Sequence, residues 1–165
     1  MKSKLNLLAG TLILLLLTVG CQNAATTNHV SFSDKDTQVI EEYLNREVME
    51  PSFGGEVFSA YEILGTDDNA EKIYIWALIL EYYKTDTALE VGTGMSLPMV
   101  LHVEQTEDSL QISSHTMPRD GSYYQEDVET LFPNNIQSKI FDYPSKHIDK
   151  LSDELDNKVE KELEK

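Results

Sequence analysis

Ile73-Tyr74-Ile75-Trp76-Ala77-Leu78-Ile79-Leu80-Glu81-Tyr82-Tyr83 is the stretch on which the fold turns. In a strand, successive side chains point to opposite faces. Ile73, Ile75, Ala77 and Ile79 then line one face, and Tyr74, Trp76, Leu78, Leu80 and Tyr82 line the other. A strand wetted on one side alternates apolar with polar residues, whereas this one is apolar on both, so it belongs inside a sheet with something packed on each face. Residues 57–64, 97–105 and 110–117 also have strand character, and they are set off by 65–71, by a loop through Gly92 and Gly94, and by 106–109. Upstream, Ser33 and Asp36 have capping-box spacing, and Val39, Ile40, Tyr43, Leu44 and Val48 recur along one helical face. This predicts a helix over 34–49 that Pro51 and the Gly54-Gly55 pair terminate.

Downstream, Met117-Pro118-Arg119-Asp120-Gly121 has turn chemistry, and Ser122 with Gln125 offers a second capping box for a helix that stops near Pro133. A final helix starts near Lys146, with Ile148, Leu151, Leu155, Val159 and Leu163 spaced by three or four. The predicted class is α+β: a helix packed on a four-stranded antiparallel meander over 34–143, then a charged amphipathic C-terminal helix over 144–165. If the first helix covers one face of the central strand, the second face has three possible covers: the C-terminal helices through Ile148, Leu151 and Leu155, a second copy of the chain, or a ligand. In the last two cases Tyr74, Trp76 and Tyr82 would be a partner-binding face, because aromatic residues dominate interface hot spots.

The N-terminus reads as an address. Lys2 and Lys4 precede a nearly unbroken apolar run from Leu7 to Val19, thirteen residues, short of the ~20 that a membrane-crossing helix requires. Leu17-Thr18-Val19-Gly20 then leads to Cys21, the one cysteine of the chain. Residues 1–20 are expected to be a signal peptide and 21–33 a tether, of which the twelve residues from Gln22 to Ser33 relax to an end-to-end distance of roughly 20 Å.

Composition excludes several function classes. Of 165 residues, 13 are Lys or Arg and 29 Asp or Glu, a net charge of −16 that becomes −18 once Lys2 and Lys4 leave with the leader. Such a surface repels nucleic acid and anionic membrane alike. A lone cysteine allows neither an intrachain disulfide nor a multi-cysteine zinc site. With a two-residue turn at Glu107 and Asp108, Val103 would pair with Ile112 and His102 with Ser113, leaving His115 diagonal to His102 with Glu104 alongside. His102, His115 and Glu104 are thus metal candidates, against the plainer reading of a solvated hairpin face and no metal. A slip of one residue would part the two histidines. Gly92-Thr93-Gly94-Met95-Ser96 lacks the lysine and the following helix of a phosphate-cradling loop, and a hairpin connection is expected there. Asp67, Asp68 and Asn69 lack the alternate spacing of a calcium loop and read as a surface turn.

The segment from Leu17 to Cys21 resembles the lipobox of bacterial lipoproteins, although leucine lies one place early and Thr18 occupies its usual position. The resemblance implies diacylglycerol and palmitate on Cys21 and residence on the extracytoplasmic face of the cell membrane, where acyl burial of ~0.8 kcal/mol per CH₂ would outweigh charge repulsion. Ser96-Leu97-Pro98, the run Pro118-Arg119-Asp120-Gly121-Ser122-Tyr123-Tyr124 and Phe132-Pro133 resemble a pattern of small extracytoplasmic domains of Gram-positive bacteria without assigned activity, over residues 73–133. In element order the chain is also similar to cystatin-like folds. The expected function is a membrane-anchored, non-enzymatic binding or accessory protein, with no cofactor and an envelope protein as the partner class. The alternative is an envelope-acting hydrolase with a dispersed active site.

Overall fold

Ser33 and Asp36 do form a capping box: the Ser33 N–H donates to Asp36 Oδ2 at 2.9 Å, and the Asp36 N–H to Ser33 Oγ at 3.2 Å. The computed structural model describes residues 32–106 and 109–163; the leader, Cys21 and most of the tether lie outside them. From the box runs helix α1 (Asp34–Tyr43), which widens into a π-turn over Leu44–Val48. The widening has a packing reason. Leu44 and Met49, five apart, are the buried residues here, and i to i+5 is the π repeat, whereas Val48 at i+4 is only half-buried.

Four strands follow as an antiparallel meander in the order β1 (Glu56–Asp67), β2 (Lys72–Lys84), β3 (Leu89–Gln105) and β4 (Leu110–Thr116). The architecture is α+β with a four-stranded antiparallel sheet. The predicted central strand is β2, bonded on both sides, with Ile75 facing Ile63 on β1 and Met99 on β3. One expectation is corrected: Gly92 and Gly94 are not in a loop but inside β3, which begins at Leu89. Glycine is depleted from strands, which hid this one. These two are there because a Cβ on Gly94 would lie 2.4 Å from Leu80 Cδ2, and one on Gly92 2.8 Å from Glu81 Oε2. The register shifts between Leu80 and Tyr82 at the same place, a bulge that turns Glu81 aside.

After β4, a 3₁₀ turn (Gly121–Tyr123) opens into α2 (Tyr124–Leu131), α3 (Asn134–Phe141) and α4 (Ser145–Leu163). The two apolar faces of β2 now have their covers. Ile73, Ile75, Ala77 and Ile79 pack with Met99 and Leu101 against Ile40, Leu44 and Met49. On the opposite face, Leu78 and Tyr82 join Phe58 and Ala60 under Leu151, Leu155 and Val159 of α4. Tyr74, Leu64 and Val100 lie under Val128 of α2, Phe132 just past its end, and Ile136 and Ile140 of α3. Leu151 and Leu155 do the expected work, and Val159 takes the place expected of Ile148, which stays half-buried. Each buried aliphatic side chain contributes at most ~1.5–3 kcal/mol.

Candidate functional site

The residues singled out from sequence are dispersed. Val103 pairs with Ile112 as expected, but an extra residue enters β4 between this pair and the next, so His102 faces Ser114 and His115 faces Leu101. His115 therefore lies on the α1 face, where its Nδ1 and the Tyr43 hydroxyl share a hydrogen bond of 2.9 Å. His102 lies on the other face, within 3.0 Å of Thr116 Oγ1, and Glu104 pairs with Gln111. Burial, then the nearby His102, pushes the His115 pKa down and favours the neutral ring. The expected diagonal pairing of the two histidines is thus corrected by a single bulge. Among the described residues, no group of three or more His, Cys, Asp or Glu side chains is arranged to hold a metal ion.

The aromatic candidates pack inside the chain. Tyr74 and Tyr82 are buried beneath the C-terminal helices. Burial and the Asp156 carboxylate, which accepts the Tyr82 hydroxyl at 3.2 Å, push that phenol up to about 12. Trp76 is half-buried; its ring stacks on Tyr143 at 4.1 Å and its Nε1–H donates to Ser96 Oγ at 3.0 Å.

Beside that stack, Glu62 Oε2 accepts the Tyr143 hydroxyl at 2.7 Å and the His147 Nδ1–H at 2.5 Å. Burial works to raise the Glu62 pKa, but these two donors outweigh it and the net shift is downward. The cluster seats the start of α4 on the outer strand β1. Two lysines act on the same strand: Lys158 Nζ donates to Ser59 O at 2.8 Å and to Glu41 Oε1 at 2.7 Å, and Lys139 Nζ donates to Leu64 O at 2.7 Å. Both carbonyls belong to β1, which is an edge of the sheet among the described residues, so the ammonium groups cap sites where another strand would pair.

The Arg119-containing run is a second fastening. Asp127 takes the Arg119 backbone N–H and Nε–H at 2.8 Å each and Nη2–H at 2.7 Å, while the guanidinium lies 4.2 Å over the Tyr123 ring. Those bonds hold the Asp127 carboxyl down at about 2. Gly121, at φ +70°, makes the turn that brings Arg119 back onto α2.

A site that sequence reasoning passed over lies at the end of the β2–β3 hairpin. Glu81 is fully buried, and its carboxylate accepts four backbone N–H groups: Phe53 at 2.8 Å, Ser52 at 2.9 Å, Gly55 at 3.0 Å and Thr93 at 3.2 Å. Burial would raise its pKa, but the four amides overcome burial and lower it to about 2. The glycines make this nest possible. Gly54 adopts φ +74°, and a Cβ on Gly55 would lie 2.2 Å from Tyr82 O. What the nest holds outward is Phe53, 61% exposed and stacked on Tyr83 at 5.1 Å and 12°. A surface hollow of about 310 Å³ runs from Phe53 past Gly55 and Glu56 to Tyr83 and Lys84. Leu89 and Val91, exposed at 37% and 54%, lie on the facing strand opposite Lys84 and Tyr82. One signal for this site was in the sequence: a carboxylate inside a doubly apolar strand needs backbone donors, and Gly54-Gly55 and Gly92-Thr93-Gly94 could bring them close.

No helix among the described residues is long and apolar enough to cross a membrane. No family model, curated protein or solved structure matches the chain.

Proposed function

We propose that the chain is an extracytoplasmic lipoprotein, held at the cell membrane by acyl groups on Cys21, and that it serves there as a non-enzymatic binding or accessory protein for an envelope protein. The leader and the position of the only cysteine support the location. The observation that carries the binding role is Phe53: a large apolar side chain more than half exposed, on a loop whose amides are pinned by a buried carboxylate. An exposed aromatic on a rigid mount suits docking, because little freedom remains to be lost when a partner arrives. The two histidines offered as metal candidates point to opposite faces of the sheet and do not gather a cleft. The likeness to cystatin-like folds rests on element order and brings no activity with it.

The test is photo-cross-linking in cells. A photoreactive phenylalanine analogue replaces Phe53 or, as a control, Glu160 on the exposed side of α4. A discrete protein adduct is expected from position 53 only. Equal labelling from both positions, or none from position 53, refutes docking at this end of the molecule.

A further inference from the structure

Resting on that reading, we propose that the partner segment received at the Phe53 end is basic: a stretch of an envelope protein carrying Lys or Arg beside an apolar side chain. The apolar part of the surface is the Phe53–Tyr83 stack; Leu89 and Val91, paired with Lys84 and Tyr82, lie on the other face of the sheet. Its rim is acidic. Glu50 precedes the loop, Glu56 opens β1, Asp86 lies in the hairpin turn, and Glu90 is the cross-strand neighbour of Tyr83; all four are exposed. Lys84 is the one basic residue among them, so four carboxylates against one ammonium leave the rim negative whatever Lys84 contacts. Beneath the loop sits the Glu81 carboxylate as well.

Other occupants fit this charge badly. A second copy would set the same acidic rim against itself, within a chain already at −16. An anionic lipid surface would be repelled in the same way. A basic segment is attracted at a distance and finds aromatic faces on arrival, where ammonium and guanidinium groups are favourably placed. The chain uses that chemistry within itself, where Arg119 lies over Tyr123 while its guanidinium bonds Asp127. The hollow of about 310 Å³ between Phe53 and Lys84 has room for one side chain of the partner.

The test uses the full chain and three labelled peptides of about twelve residues: lysine alternating with leucine, glutamate alternating with leucine, and lysine alone with serine spacers. Fluorescence anisotropy should show the lysine–leucine peptide bound about ten-fold tighter than the lysine–serine one. Binding should weaken when salt rises from about 50 to about 300 mM. Phe53→Ser and the pair Glu56→Lys with Glu90→Lys should each weaken it about ten-fold, and all three positions are exposed, so the fold is retained. Equal binding of the glutamate–leucine peptide, unchanged affinity in Phe53→Ser, or Phe53-dependent binding of phosphatidylglycerol vesicles overturns the proposal. In the cellular experiment, an adduct at position 53 whose joined segment is acidic or neutral refutes the basic partner while leaving docking intact; no adduct refutes docking itself.

Discussion

At the scale of the residue, Glu81 decides the most. Its four amide partners come from the loop before β1 and from β3, so one carboxylate ties three segments that are distant in sequence. A folded-state pKa near 2, below the ordinary 4.5, means that its stabilising effect is full above pH 4.5 and is lost as pH falls from there towards 2. Asp127 titrates in the same window, so the two must be separated by substitution. Glu81→Gln is expected to remove that share of the acid dependence and to speed hydrogen exchange at Ser52, Phe53, Gly55 and Thr93, because a carboxamide offers one acceptor oxygen and turns N–H groups toward N–H groups. Unchanged protection at those four amides would mean that the loop is held by something else. Legibility from sequence is uneven at this scale. Ser33 and Asp36 were readable because capping is local, and the apolar pair of faces on β2 was readable because it repeats every second residue. Glu81 interrupts that repeat with a charge, and its meaning lies in amides 12 to 29 residues away, which no local pattern reports.

At the scale of the element, the sequence conveyed strand order and the helices α1, α2 and α4, but neither α3 nor the places where strands deviate. The residue inserted into β4 beside His102 rotates the end of β4, and with it His115, onto the α1 face, a change that alternation of polar and apolar residues does not announce. The early start of β3 was hidden by its glycines, whose presence reflects what approaches them across the sheet. α4 was better signalled, since its apolar residues keep helical spacing for about four turns. Leu155, fully buried against Phe58, Leu78 and Tyr82, is the centre of that contact. Leu155→Ala is expected to lower stability by about 2–5 kcal/mol in a denaturant titration, with a cavity left behind because strands and helix are both fixed. A loss below about 1 kcal/mol would show that α4 is a loosely held appendage.

At the scale of the whole molecule, charge and anchorage act together. With acids in more than two-fold excess over bases, the folded chain is repelled by an anionic lipid surface, so only the acyl groups proposed on Cys21 would keep it there. Cys21→Ala is expected to move the protein from the detergent phase to the aqueous phase on partition and out of the membrane fraction of cells. Retention in that fraction would show that lipid is not what holds it. The class was legible because it is written in long, locally repeating stretches; the Phe53 end was not, because it is assembled from a loop and two strands meeting over a bulge. That assembly divides the work among residue types. The nest is made of backbone amides, which every residue but proline supplies, so its hydrogen bonds use no side chain from positions 52 and 53, whereas a Cβ on Gly55 would strike Tyr82 O and one on Gly92 would strike Glu81 Oε2. A chosen pair of residues installed at 52 and 53 would therefore be displayed in a conformation already set by Glu81.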